Sequence, residues 1–344
     1  MALLWVDGFD NYGTTAGSAP SPAGIVSRNY VMSSGSESST YIRAGRTGLY
    51  SLDLGVWNAT LRKAVNTTNA TLICGVGIKI ATSFDASQPF LQFTDEGTLG
   101  LGLHLNANGT IYLKAGATTV NTSTFALTAG TWYYVELKIT CTSATNYDYE
   151  LHIGQTLIFN GSDTHKGGSH AYHNGIALVG YSWHYGMTVD DLYICDGSGS
   201  YNNDFLGNIV VQLVYPDGDA SPNEWTGSNG ASHYSLLNEA ISDLTTYVED
   251  NVSGHAELFT FQDVTSIGVI KGVVVSVESG ETDTTPFNYK IQCVSGATTA
   301  NGATQLCGSS TYSTRNEIFE TNPETGGLWS DTAFNAAKFG FILS

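Results

Sequence analysis

Two aspartates stand side by side at Asp190 and Asp191, inside the stretch GMTVDDLYICDGSGSYNNDFLGN that runs from residue 186 to 208. Adjacent carboxylates can serve a metal ion or acid–base chemistry, and calcium in particular takes oxygen ligands from turn-rich backbone. Neighbours on a strand point to opposite faces, so the two cannot meet on one ion unless a bulge intervenes. Asp190 and Asp191 are the candidate metal ligands, with calcium the candidate ion. The plainer expectation is structural: a strand entry where one carboxylate accepts backbone N–H groups and the other faces water, with no cofactor.

Histidine is the second concentration. His165, His170, His173 and His184 are half of the eight histidines and fall within HKGGSHAYHNGIALVGYSWHYG. Their spacings fit no zinc motif, and no cysteine is interleaved. Tyr172, Tyr181, Trp183 and Tyr185 stand close by. Such loops suit sugar or protein surfaces, because aromatic faces stack while polar tips hydrogen-bond. The expectation is a contact loop carrying His170, His173, Trp183 and Tyr185. It would pack on a neighbouring subunit or loop, contact a ligand or, least of the three, hold a transition metal.

Catalytic signatures are missing. Glycoside hydrolysis needs two carboxyls facing one cleft, which a strand supplies most simply with acids at alternate positions. Glu278 with Asp283, and Glu317 with Glu320, lack that spacing, while Asp95 and Glu96 read as turn residues in TDEGT. There is no GxSxG and no phosphate-binding GxGxxG or GxxxxGK[ST]. No catalytic residue is assigned, and the chain is expected not to be an enzyme.

The composition sets the frame. The chain has 344 residues, only 13% of them charged, with 13 Lys+Arg against 31 Asp+Glu and a net charge of −18. A phosphate backbone needs clustered cations, so neither nucleic acid nor an anionic membrane surface is an expected partner. No run approaches the roughly 20 apolar residues of a membrane span. MALLWVDGFD meets Asp7 with no basic start and reads as a first strand, so no signal peptide is expected. The five cysteines are too widely spaced for metal motifs; Cys74 and Cys195 read as buried thiols. Cys293 and Cys307 could close a loop in an oxidising compartment.

Short β-runs between turn signals dominate. TWYYVELKIT (131–140) alternates, with Val135, Leu137 and Ile139 on one face and Tyr134, Glu136 and Lys138 on the other, which predicts a half-buried antiparallel strand. LGLHLNANGTIYLKAG (101–116) predicts a hairpin about Asn108–Gly109, YELHIGQTLIFNGS (149–162) predicts another, and ATLICGVGIKI (70–80) reads as a buried strand. SDTAFNAAKFG (330–340) predicts a short helix with Ser330 or Asp331 as cap and Gly340 as stop, and SLLNEAISDL (235–244) predicts a turn or two of helix. There is no heptad repeat. GSGSYNND (197–204) is the natural joint, so the reading is a larger sandwich over 1–199 and a smaller β-rich domain over 200–344.

LWVDGFDNYG, GTWYYVELKIT, YELHIGQTLIFNG and MTVDDLYICDGSG follow one another in an order that resembles the concanavalin A-like (laminin-G-like) jelly roll of tailed-phage and prophage virion structural proteins. The NDFLG segment after the closing strand, and ETNPETGGLWSDTAFNAAKFGFILS at the end, are similar to the same proteins. The resemblance implies an all-β fold: an N-terminal jelly-roll sandwich, then a smaller β-rich virion domain with a short C-terminal helix. It implies a non-enzymatic virion protein made in the host cytoplasm, most simply a tail (fibre or tip) adhesion or assembly module. The alternatives are a head decoration protein, or a polysaccharide-binding or polysaccharide-degrading protein on the same fold. Implied partners are other virion proteins, further copies of itself with a trimer the first expectation, and a host-surface glycan. The glucanases of the wider superfamily carry alternating catalytic acids on one strand, and no counterpart of that strand is expected in this chain.

Overall fold

The computed structural model describes residues 1–13, 16, 25, 28, 30–33, 41–55, 59–84, 89–180, 186–242, 245–265, 268–281, 287–307 and 312–344. Two compact units result, Met1–Gln212 and Leu213–Ser344. Each has its own cluster of buried apolar side chains.

The first unit contains β1 (Leu3–Asp7), β2 (Tyr30–Ser33), β3 (Tyr41–Ala44), β4 (Tyr50–Asp53), β5 (Thr60–Ala64), β6 (Thr71–Ile80), β7 (Pro89–Asp95) and β8 (Thr98–Leu105). It continues with β9 (Thr110–Ala115), β10 (Thr118–Ala126), β11 (Trp132–Cys141), β12 (Tyr147–Ile153), β13 (Thr156–Asp163), β14 (Gly175–Val179) and β15 (Met187–Asp196). Both expected hairpins form, β8–β9 and β12–β13. An eight-stranded sheet runs β13-β12-β11-β6-β15-β4-β3, with β1 also on β15, and a seven-stranded sheet runs β10-β9-β8-β7-β14-β5-β2. Period-two alternation supplies the inner faces: Val135, Leu137 and Ile139 of β11 and Cys74, Val76 and Ile78 of β6 all join the core. The all-β jelly-roll sandwich expected from the sequence is the observed architecture.

Strand β15 changes partner midway. Its first residues pair with β4 and its last with β1, and the register on β6 shifts between Asp190 and Tyr193. This is a β-bulge, with Asp191 at φ 50. The extra residue sends Leu192 and Ile194 into the core and Tyr193 onto the outward face.

The second unit contains β16 (Pro216–Asn223), β17 (Thr226–Gly227), β18 (Val248–Glu249), β19 (Ala256–Phe261), β20 (Val273–Ser279), β21 (Asn288–Ser295), β22 (Thr298–Leu306), β23 (Ser313–Phe319), α1 (Asp331–Ala336) and β24 (Lys338–Leu343). Its main sheet has five strands in the order β16-β19-β24-β21-β22. Trp329, in the buried apolar cluster of this unit, is 1% exposed and donates from Nε1 to the Phe319 carbonyl at 2.8 Å.

Several local expectations are corrected. Ser330 does cap α1, accepting from Ala333 N, but the helix stops at Ala336 and Gly340 lies inside β24. There a Cβ would come 1.9 Å from the Glu257 carbonyl oxygen, so the close approach of β19, rather than a helix stop, demands glycine. For the helix expected over 235–244, the described residues hold only a 3-10 turn at His233–Leu236, whose first residues are tied by bonds to Glu257, Asp219 and the Ser232 carbonyl. Cys293 and Cys307 are buried free thiols.

Candidate functional site

The outward face of the eight-stranded sheet carries the polar residues of the sandwich. Along β11 it presents Tyr134, Glu136, Lys138 and Thr140, and the register sets Glu136 against His152, Lys138 against Glu150 and Thr140 against Asp148 on β12. On β13, Asn160 faces Glu150 and Ser162 faces Asp148. Lys138, Thr140, Asp148, Glu150, Asn160 and Ser162 line a shallow, open groove.

Its polar atoms are already networked. Lys138 Nζ lies 3.1 Å from Glu150 Oε2 and 2.9 Å from Asp204 Oδ1. His152 Nε2 lies 2.8 Å from Glu150 Oε1, and Ser162 Oγ donates to Asp148 Oδ1 at 2.5 Å. Partial burial pulls the Lys138 ammonium down, but its hydrogen bonds to Asp204 and Glu150 outweigh that and hold its pKa above the usual lysine value. Lys138 is thus a fixed cation, suited to holding a carboxylate or a hydroxyl and unsuited to removing a proton.

Asp148, Glu150 and His152 occupy alternate positions of β12 and share this face. Two conclusions from the sequence are corrected here. The alternating acids taken to be missing are present, and the exclusion of catalysis that rested on their absence does not hold. A hairpin read as starting at Tyr149 leaves Asp148 outside the strand; the observed strand starts at Tyr147.

No family model and no curated protein matches the chain. Solved structures with a similar sandwich do exist. Alginate lyase Aly36B is 14% identical, covers 58% of this chain and 99% of its own, with a TM-score of 0.41. The catalytic domain of a glycoside hydrolase family 131 protein from Coprinopsis cinerea is 19% identical, covers 58% and 97%, with a TM-score of 0.38. Domain 4 of AbnA, an extracellular arabinanase from Geobacillus stearothermophilus in complex with arabinotriose, is 13% identical, covers 58% and 94%, with a TM-score of 0.39. These three sandwiches belong to carbohydrate-active proteins. Enzymes are among these similar structures, so the sequence-based expectation of a non-enzymatic chain is not upheld, and likeness at this level carries nothing over to the chain beyond the fold.

The aspartate pair makes structural contacts: Asp190 accepts backbone N–H groups, as the plainer expectation had it, but Asp191 is buried in place of facing water. The bulge does bring both carboxylates to one place, and Arg46 is what they meet. Arg46 N donates to Asp190 Oδ2 at 2.6 Å, and the Arg46 guanidinium lies 2.7 Å from Asp191 Oδ2 while stacking 4.9 Å over the Tyr134 ring. Neither carboxylate faces water; each is 1% exposed. Burial, and then the charge of Asp191, pushes Asp190 up to about 8 against two backbone N–H bonds. Among the described residues no three His, Cys, Asp or Glu gather as a metal group.

The histidine loop folds onto its own sandwich. Asp95, read from sequence as a wet turn residue, is 2% exposed. It accepts from Ser169 N at 2.7 Å and His170 N at 3.0 Å, lies 2.6 Å from His170 Nδ1, and pairs with the fully buried Lys166 at 3.1 Å. Burial would raise its pKa, but His170 and Lys166 hold it well below the usual carboxylate range. His173 is buried against Phe93, with Nδ1 3.5 Å from Cys141 Sγ. Burial pushes this imidazole down to about 3 and the Cys141 thiol up to about 11, so the two form no activated nucleophile–base pair. Trp183 and Tyr185 lie outside the described residues.

Proposed function

We propose that the chain binds and hydrolyses a neutral polysaccharide in the groove between β11 and β13. The observation that carries this reading is the placing of Asp148 and Glu150 at alternate positions on an open sheet face. Same-face neighbours on a strand have Cα atoms roughly 6.6 Å apart, a spacing from which two side chains can reach the separation of about 6.5 to 9.5 Å that lets one carboxyl protonate a leaving group while the other activates water. Asn160, Ser162 and Thr140 supply hydrogen-bonding groups for sugar hydroxyls along the same strip.

Charge argues for a neutral substrate. The groove holds two carboxylates to one lysine, on a chain of net charge −18. A polyuronate would be repelled by that field, and Lys138, held protonated, is unsuited to remove the proton that a lyase reaction requires. The virion setting belongs to the same proposal. A particle-borne protein that meets host-surface glycan would use such a groove, and the framework motifs of the sequence support that setting.

The test is incubation of the full chain with β-glucan, xylan and arabinan, with alginate as the acidic comparator, followed by pull-down and reducing-end assay. Neutral polymer should be retained and cleaved, and alginate neither. Glu150→Gln and Asp148→Asn should keep binding while losing about 100-fold or more in cleavage. Cleavage that survives both substitutions, or no retention of any neutral polymer, refutes the proposal.

A further inference from the structure

The groove does not end at Lys138. Two residues back along β11 the same face continues to Glu136 and Tyr134, with Tyr193 of β15 beside them, and here residues 204–211 cross over the sheet. The floor beneath this crossing is polar, which is unusual for a sheet face that is permanently covered. Glu136 is fully buried; Oε1 accepts from Tyr193 Oη and from Gly207 N at 2.9 Å, while Oε2 has no hydrogen-bond partner among the described residues. The Tyr134 and Tyr193 rings are nearly parallel, 18° apart with centroids at 6.5 Å. Tyr193 can lie flat because β6 has Gly75 beneath it, where a Cβ would come 2.0 Å from the ring.

The covering segment has a different character. It has no regular secondary structure, contributes no residue to the sandwich core, and buries only Leu206. Val210 is 53% exposed. Hydrogen bonds hold it down: Leu206 N to Tyr193 Oη at 3.1 Å, Gly207 N to Glu136, Val211 N to Asp191 Oδ1 at 2.7 Å, and Arg46 to Asn208 Oδ1 at 2.6 Å. Phe205 rests on the His152 ring at 4.2 Å, at the edge of the open groove. A segment with few buried apolar contacts opens at low cost compared with the strands under it.

We propose that residues 204–211 are a latch over the second half of the sugar-binding face, and that the glycan chain continues over Glu136, Tyr134 and Tyr193 when the latch lifts. This rests on the reading of the open half as a neutral-glycan groove. The two phenol rings offer faces for apolar sugar faces, and the Glu136 carboxylate, released from Gly207 N, accepts from vicinal hydroxyls. The latch occupies those positions with its own backbone N–H groups.

Hydrogen exchange on the full chain, read by mass spectrometry, tests the opening, and calorimetry with cellohexaose and xylohexaose tests what the opening admits. Amides of 206–211 should exchange at least roughly 100-fold faster than those of β11, and Phe205→Ala with Asn208→Ala should speed them further and tighten hexasaccharide binding several-fold. A cysteine pair at Gln155→Cys and Gly207→Cys, where a Cβ at 207 lies 3.6 Å from the Gln155 side chain, locks the segment reversibly. Binding should weaken on oxidation and recover on reduction, in one and the same folded protein. Exchange as slow as in β11, or an affinity indifferent to lock and loosening, overturns the latch. No hexasaccharide bound by any form, with the segment still opening, overturns instead the glycan reading on which the latch rests.

Discussion

The Arg46 guanidinium and the Asp191 carboxylate meet at 2.7 Å on the outward face of the eight-stranded sheet, 10% and 1% exposed. The bulge that puts Asp191 at φ 50 also joins the β4-paired and β1-paired halves of β15, so this one ion pair sits where three segments of chain converge. Arg46 reaches on to Asn208 and the Ile209 carbonyl, which ties the 204–211 segment to the same point.

Arg46→Ala should cost about 3 to 5 kcal/mol, because it leaves a buried carboxylate without its partner. Urea unfolding of the full chain measures it. Arg46→Lys should recover little of the loss, since an ammonium cannot span Asp191, Asn208 and the Ile209 carbonyl as a planar guanidinium does. A wild-type midpoint for either variant would remove the ion pair from the account of stability.

Asp190 makes stability depend on pH in a stated direction. Its pKa is raised by burial, then by Asp191, to about 8, above the 3.8 of a free aspartate, so the folded state holds the proton that the unfolded state has released. Stability therefore falls as pH rises from about 4 to about 8 and levels off above that. Asp10, raised by burial to about 6, acts in the same direction and is finished earlier. Between pH 6.5 and 8 the decline should be shallower in Asp190→Asn, read as the melting temperature of both proteins across that window. Equal slopes would mean that Asp190 is ionised throughout, held so by its two backbone N–H bonds.

Asp95→Asn should release the loop from Lys166 to Asn174, since one carboxylate holds Ser169, His170 and Lys166 and its loss leaves the Lys166 ammonium fully buried without a counter-charge. The expected cost is again about 3 to 5 kcal/mol, with faster exchange confined to that loop. His170→Ala should leave polysaccharide retention unchanged, because the ring is engaged by Asp95 and Tyr172 on the loop's own sandwich. Lost retention in His170→Ala would restore the loop as a ligand contact.

Much of the fold was legible from local pattern. The alternation in 131–140 set which side of β11 enters the core, Asn108–Gly109 turned β8 into β9, and Ser330 capped α1. These depend on propensity and on contacts within a few residues, which the order of side chains contains. The acids of β12 were legible too, as Asp148, Glu150 and His152 at alternate positions, once the strand is begun at Tyr147.

Other features were decided only in three dimensions. Glu136 and Glu150 sit on the same outward face of paired strands, yet Glu136 is fully buried while Glu150 lines an open groove. Alternation assigns a face, but what lies over that face depends on residues 204–211, distant in sequence. The same holds for Asp95 under His170, which is 75 residues away, and for Asp190 and Asp191 over Arg46, 144 and 145 away. The strands and their inner faces followed from the sequence because side-chain periodicity is local. The site followed from the tertiary structure because burial, ion pairing and open surface depend on which distant segments pack together.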